Sequence, residues 1–526
     1  MTNRLKYQGV AQKINKTTIT QLVLSIGRFL TMKFLSRLFT FVKAILVFGV
    51  ILLAVLVYRT YEFTPNNSSE DKVPVISIDY SGAAERLAGA LKFKTISHQD
   101  PSLREPQQFL DFHAYIKQNF PLVDQQLELT KINQLSLLYR WPGKTNSQLK
   151  PILLMGHFDV VPVDPTTLED WKFPPFEGVV EGGNIWGRGT LDDKGAVLAI
   201  LEAIEFQLSQ GFTPNRDIYF SFGHDEEVGG NEGAAKAAEY FKSKGIKFEY
   251  VLDEGGFVTE RMMPGFELPL ALIGVAEKGY LSAQLSVEST GGHSSVPPPS
   301  TGIGILSQAI VRLENNQLKP RLVHATESML TTIGKNMPFS KRLIFANLWL
   351  FEPFLIDQLV QSKLTNATIR TTTAATVFKA GDKENALPIN SKAIVNFRLL
   401  PGDSIQTVES HIVRTIADER VKVKIIKAAE ATPISSTESK AYIDLVKTID
   451  QVSPEQGMVI VPNLMVGGTD SSHFVALAEN VYRFNGVKIN PESFSGFHGT
   501  NEYLPVAEYQ RAINFYSQIL LLNSDQ

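Results

Sequence analysis

Five short stretches hold the histidines and acids whose types and spacing could do chemistry. They are GHFD (His157, Asp159), GRGTLDDKG (Asp192, Asp193), GHDEEVGG (Glu226, Glu227), LDEGG (Asp253, Glu254) and GFHGTNEY (His498). All five adjoin glycine, and four of them follow an apolar, β-type run. Like charges set side by side repel, so Asp225, Glu226 and Glu227 need a reason to be crowded into a glycine-rich turn. If each stretch delivers a ligand to one point, two histidines and several carboxylates form a nitrogen/oxygen site suited to zinc, cobalt or manganese. More than three carboxylates around one divalent ion would leave excess negative charge. Two ions about 3.5–4 Å apart, sharing one carboxylate, balance it. One glutamate of the pair can then hold a metal while its neighbour takes a proton from water as general base. The chain has no cysteine, so thiolate sites and disulfides are excluded.

The elements that must position these residues follow from hydrophobic periodicity. PILLMGHFDVVPV, NRDIYFSFG and FEYVLDEGG predict strands, and DKGAVLAILEAIEFQLSQG and GAAKAAEYFKSKG predict helices between them. Strand–helix alternation predicts a doubly wound, mostly parallel α/β catalytic domain, with its chemistry just past the strand ends. From about Lys278 the pattern changes to apolar/polar alternation, as in GYLSAQLSVES and SKAIVNFRLLPG, the mark of half-exposed strands. The expected organisation is a catalytic domain over residues 75–279 and 433–526, interrupted by an inserted α+β domain over 280–432. The insert contains an aromatic-rich run, MPFSKRLIFANLWLFEPFLIDQLV.

The N-terminus differs from the rest. Residues 38–58 contain one charge, Lys43, and are about long enough to cross a bilayer. Arg4, Lys6, Lys13, Lys16, Arg28, Lys33 and Arg37 precede this stretch, with no acid among them. That asymmetry predicts a basic cytoplasmic segment (1–37), a transmembrane signal anchor (38–58), a polar linker (59–74) and an extracytoplasmic bulk. A cleaved signal peptide is the lesser alternative, and Met32 is an alternative start. The whole chain is 44% hydrophobic and 20% charged with net charge −3, an ordinary globular balance that gives no reason to expect nucleic acid as partner.

With these motifs assembled, the chain resembles the di-zinc metallopeptidases that include carboxypeptidase S, the aminoacylases and glutamate carboxypeptidase. IWGRGTLDDKGAVLAILEAIE, GHDEEVGG, VLDEGGF, GHSSVPP, WLFEP, LTNATIRTTTA and VNFR look most like the N-fatty-acyl-amino-acid synthase/hydrolase group. The resemblance spans roughly residues 75–526. It implies two Zn2+ per subunit, with Co2+ or Mn2+ as substitutes. His157 and Asp253 would hold one ion, Glu227 and His498 the other, and Asp192 would bridge them. Glu226 would be the general base, and Asp159 would orient His157. A cis peptide is implied between Asp192 and Asp193. In the insert, a lid that also mediates dimerisation in such enzymes, His293 would stabilise the oxyanion, reaching across from a partner subunit. Arg398 would clamp the substrate carboxylate and Asn385 would touch the substrate backbone. GGTDSSHF resembles a substrate-carboxylate loop in which Asp470 is structural. His224 and His473 are expected to be non-ligands, and His98, His113, His324 and His411 surface residues.

The reaction implied is hydrolysis of N-acyl amino acids. The apolar insert suits either a tunnel for a fatty tail or a helical core or dimer surface; anchoring near lipid favours lipidated amino acids, and mass action in water favours hydrolysis over synthesis. A membrane-anchored zinc carboxypeptidase or dipeptidase acting on short peptides would use the same residues. A non-catalytic binding relative or an anchored scaffold is disfavoured by the intact ligand set.

Overall fold

The computed structural model describes residues 16–65, 77–144, 148–262, 266–455 and 457–522. Residues 1–15 of the expected basic segment, and the expected linker from residue 66 on, lie outside the described residues. The first element is a single helix, Lys16–Glu62, which runs beyond the expected span at both ends. By length and composition it can cross a membrane.

The main unit is built on a ten-stranded sheet. Its centre consists of Ile218–Gly223, Ile152–His157, Phe248–Asp253 and Ala478–Arg483, all paired in parallel. These strands are near-continuous apolar runs because both of their faces are covered. Leu154, Phe220 and Phe222 pack with the helices Lys194–Ser209 and Val506–Leu522. On the opposite face, Leu153, Met155 and Tyr219 pack with the helix Ala234–Ser243. A fully buried Leu, Ile or Phe contributes about 1.5–3 kcal/mol. That is several times the spread of helix propensities, so burial decides these elements.

The sheet is mixed, with antiparallel pairings beside its parallel ones. The hairpin Glu128–Ile132/Ser136–Trp141 adds antiparallel strands at one edge. Leu270–Glu277 runs antiparallel to both Arg483 and Val258–Thr259. A tight hairpin can append only an antiparallel neighbour, as at the 128–141 edge, whereas Val459–Met465 and Lys488–Ile489 on the far side join Leu270–Glu277 and Val258–Thr259 in parallel after long connections.

A second sheet, in the order Thr372–Ala380, Asn390–Leu399, Gly279–Glu288, Lys422–Ala429, is antiparallel throughout. The helices Gly302–Asn315 and Ile405–Ile416 cover one face and enclose a separate core around Leu285, Leu306, Phe397 and Ile412. Residues 324–369, within the expected insert, do not join that core. Met329, Leu330, Ile333 and Leu355 pack instead on Leu270, Val459 and Val461 of the main sheet's edge.

Candidate metal centre and active site

The parallel centre of the sheet brings its strand ends to one place. His157 is the last residue of its strand, and Glu226 and Glu227 follow Ile218–Gly223. Asp253 ends its strand, with Glu254 next. Asp192 lies just before the helix Lys194–Ser209, and the expected cis peptide Asp192–Asp193 is present. Helix and loop meet closely there: a Cβ on Gly195 would stand 2.1 Å from the carbonyl oxygen of Thr190. His498 arrives from a loop after Pro491–Phe494, with φ 53°.

The polar atoms form two groups joined by one carboxylate. Asp192 Oδ1 lies 3.0 Å from His157 Nε2, and Asp192 Oδ2 lies 2.9 Å from His498 Nε2. Glu254 Oε1 is 3.4 Å from His157 Nε2, and Glu227 Oε2 is 3.3 Å from His498 Nε2. Glu226 Oε2 sits 4.0 Å from His157 Nε2. Ligand atoms about 2.1 Å from one ion at tetrahedral angles stand about 3.4 Å apart. The observed separations therefore suit a cation inside each group.

Asp159 organises this arrangement. Fully buried, it accepts the backbone N–H groups of Glu226 and Glu227, both at 3.2 Å. His157 Nδ1 lies 3.0 Å from the Asp159 carbonyl oxygen, which leaves Nε2 facing the carboxylates. The glycines around the acidic turn also have a reason: Gly230 has φ +62°, and a Cβ there would stand 2.0 Å from Asp470 Oδ1.

Electrostatics point the same way. Burial pushes the Glu226 carboxyl well above its ordinary range; His157 opposes the shift, and the charges of Glu254, Asp470 and Glu227 add to it. Burial raises Glu254 to about 7 despite His157. Burial also raises Glu227, Asp193 and Asp470. Burial opposes charge on His157, yet Glu254, Asp159 and Asp192 hold its pKa well up. His498 is raised to about 10 by hydrogen bonds to Asp192 and Glu227. Buried oxygens of Glu227 (Oε1), Asp253 (Oδ1), Asp193 (Oδ2) and Asp470 (Oδ2) have no hydrogen-bond partner. A pocket with this much uncompensated negative charge is built for cations.

Asp253, expected beside His157, has its Oδ1 buried without a partner near the cluster, but the acid that approaches His157 is Glu254. The Oδ2 of Asp253 accepts the backbone N–H of Ser471 at 2.8 Å, and Glu254 stands in the expected place. Successive side chains at a strand end point to opposite faces, so the choice between two adjacent acids turns on a one-residue register.

The insert residues lie apart from the metal groups. His293 and Asn385 are exposed, joined through the short pairing of Gly292–His293 with Ala386–Leu387 and the bond from Ser294 N–H to the Asn385 carbonyl. Neither lines the cavity at the carboxylates. Arg398 stacks 4.8 Å from the centre of the Tyr280 ring, with Lys427 Nζ 5.4 Å from the same ring. Lys427 Nζ is 3.5 Å from where a Cβ on Gly229 would stand, so this cationic cluster adjoins the acidic turn. His224 and His473 bond elsewhere: His224 Nδ1 is 2.6 Å from Ser136 Oγ, and His473 Nε2 is 3.2 Å from the Gly229 carbonyl oxygen. His113, expected at the surface, is instead buried beside Phe158, with Nε2 2.8 Å from the Leu135 carbonyl oxygen.

Sequence reasoning passed over Glu502 and Arg188. Glu502 is fully buried; it accepts N–H bonds from Gly189 (3.1 Å) and Leu191 (2.8 Å) and pairs with Arg188 at 2.5 Å. It therefore holds the loop that presents Asp192. Both residues lie inside the stretches that carry Asp192 and His498, and an Arg between two glycines in one and a further acid in the other were the available signal.

A cavity of about 420 Å³ opens from the carboxylates. Asp192, Glu226, Glu227, Glu254 and His498 line one end. The remainder is mostly apolar, with Phe257, Met262, Leu272, Met329, Phe494 and Phe497 prominent and Thr259, Thr365, Thr368 and Asn463 among them.

This site on this fold defines a metal-dependent hydrolase. Residues 153–522 match the Peptidase family M20/M25/M40, and the chain belongs to that family. Among its relatives, "Probable carboxypeptidase S-like 2" of Dictyostelium discoideum is 42% identical, covering 90% of this chain and 92% of that protein. The N-fatty-acyl-amino acid synthase/hydrolase PM20D1 of Xenopus tropicalis is 38% identical over 92% of this chain and 95% of its own length. The same fold is seen in an M20 family metallo-carboxypeptidase from Sulfolobus solfataricus. That structure has TM-score 0.62 at 19% identity and covers 85% of this chain and 100% of that one.

Proposed function

We propose that the protein is a di-zinc hydrolase that cleaves the amide bond of N-fatty-acyl amino acids. The observation that carries this reading is the single cavity with carboxylates at one end and a mostly apolar lining over the rest. Its volume of about 420 Å³ falls within the usual range for small-molecule sites. An acyl chain can lie along Phe257, Leu272 and Met329 while its carbonyl reaches the acidic end.

His157, Asp192 and Glu254 would hold one ion, and Asp192, Glu227 and His498 the other. Bound there, the ions would polarise the scissile carbonyl and acidify water. Glu226 takes the proton from the attacking water and delivers it to the leaving nitrogen. Asp159 holds the backbone of the two glutamates in register for this. Arg398, with Lys427 beside it, receives the substrate carboxylate. His293 and Asn385, exposed on the insert, act on the site of a second copy across a lid-mediated dimer. In this reading the N-terminal helix is the anchor, and the basic residues ahead of its apolar core support an extracytoplasmic hydrolase.

A second reading, a carboxypeptidase for short peptides, draws on the relative named carboxypeptidase S-like and uses the same residues. The deciding experiment compares phenylalanine release from N-oleoyl-phenylalanine and from a phenylalanine dipeptide. It uses the full chain, zinc-loaded, with and without chelator. We expect kcat/KM at least about tenfold higher for the oleoyl substrate, the effect of an apolar site well matched to its tail, and loss of activity with chelator. Preference for the dipeptide would establish the peptidase reading, and chelator-insensitive cleavage would refute metal dependence.

A further inference from the structure

The helix Leu348–Leu359 is turned inside out for a globular protein. Of its side chains Leu355 is buried, while Trp349, Leu350 and Phe354 are 57%, 41% and 52% exposed. Phe339, at the start of the preceding helix Phe339–Ala346, is 45% exposed. Isolated exposed apolar residues are ordinary, but four large ones on one helical hairpin mark an interaction surface.

What that surface faces is set by its attachment. Asn347, between the two helices and fully buried, donates its Nδ2–H to the Leu56 carbonyl oxygen at 3.2 Å. Arg59 donates Nε–H to the Ala346 carbonyl oxygen at 3.3 Å. Leu56 and Thr60 are buried here, in a helix whose apolar side chains are otherwise largely exposed. The hairpin is thus fixed to the apolar helix where its hydrophobic stretch gives way to Arg59. A helix that crosses a bilayer leaves the hydrocarbon at that level, and the twelve residues of Leu348–Leu359 extend about 18 Å from the attachment. Trp is the side chain best suited to the lipid–water interface, with an apolar body and one polar N–H.

We propose that the face carrying Phe339, Trp349, Leu350 and Phe354 lies in the interfacial layer of the bilayer that holds the anchor, and that acyl substrate reaches the cavity from the lipid. The inference rests on the reading of the N-terminal helix as membrane-crossing and of the substrate as fatty-acylated. Leu364 marks the port. It lies in the first turn of the helix Lys363–Ile369, three residues after Leu348–Leu359 ends, and is 57% exposed while lining the cavity. Leu364 shares the cavity lining with Met329 and the carboxylates, so a chain that enters past Leu364 reaches the acidic end inside one cavity.

The full chain reconstituted in phosphatidylcholine vesicles with brominated acyl chains tests the placement. Bromolipid should quench a component of tryptophan fluorescence that is missing in Trp349→Phe; equal quenching in both proteins would overturn the docking. Extraction with alkaline carbonate reads the anchor separately: release of the protein would overturn the anchor and the docking with it. For the port, Leu350→Ser/Phe354→Ser should lower kcat/KM on vesicle-borne N-oleoyl-phenylalanine about tenfold, since membrane engagement scales with buried apolar area. Hydrolysis of water-soluble N-acetyl-phenylalanine should stay unchanged. Equal losses on both substrates would overturn the port, and failure to cleave either N-acyl substrate in the wild type would count against the acyl reading instead.

Discussion

The two ends of the cavity are made in opposite ways. At the acidic end, five short glycine-flanked stretches each deliver one or two side chains from the ends of central strands or the loops beside them. Every position there is bound to a chemistry that few residue types can supply. At the apolar end the lining comes from segments far apart in the chain, among them Phe257, Leu272, Met329, Leu364, Met465 and Phe494. Each could be exchanged for another apolar residue at little cost. Chemistry constrains the first end residue by residue. Volume and polarity constrain the second only collectively. Catalytic competence should therefore fail abruptly when the acidic end is altered, and substrate choice should drift when the apolar end is.

The largest expected effect is at Glu226. Glu226→Gln keeps the size of the side chain and removes the base, so kcat should fall at least about 10³-fold. Metal content, read by elemental analysis, should stay at the wild-type value. Substantial residual turnover would end its assignment as base.

Next comes the pair of acids that share a strand end. Glu254→Ala should lose about one metal equivalent and most activity, because its Oε1 stands 3.4 Å from His157 Nε2. Asp253→Asn should retain metal and lose far less, since Asp253 accepts from the Ser471 amide. The reverse ranking of metal content would restore Asp253 as ligand and break the geometric assignment.

The smallest effect belongs to the apolar end. Met329→Gln keeps the length of the side chain but sets an unpartnered amide in an apolar wall, at a cost of about 1–3 kcal/mol. KM for N-oleoyl-phenylalanine should rise about tenfold, while cleavage of a short dipeptide holds steady. A parallel loss on both substrates would show that Met329 supports the fold rather than the tail.

Most of the acidic end was legible in the sequence because its signals are local. GHFD, LDDKG and DEE each place a ligand type beside glycine at the end of an apolar run, and the structure brings His157, Asp192, Glu227 and His498 within reach of one another. Legibility stopped where one residue of register mattered, at Asp253 and Glu254. It also stopped where a role depends on distant partners, as with Glu502, which holds the Asp192 loop, and His113, buried under Phe158. The mixed pairing of the sheet was hidden for a related reason. Strands such as Leu270–Glu277 read as ordinary β runs whichever direction their neighbours take.

By itself, then, the sequence determined the kinds of element, the acids and histidines available, the absence of thiolate chemistry and an N-terminal helix able to cross a membrane. These follow from periodicity and residue type, which act over a few residues. Only the tertiary structure decided that Glu254 rather than Asp253 faces His157, that residues 324–369 pack on the main sheet rather than on the insert's own core, and that the apolar helix is fixed to Asn347. Burial and pairing between distant segments settle such matters. Their free energy depends on what each residue meets across the fold, which no local pattern encodes.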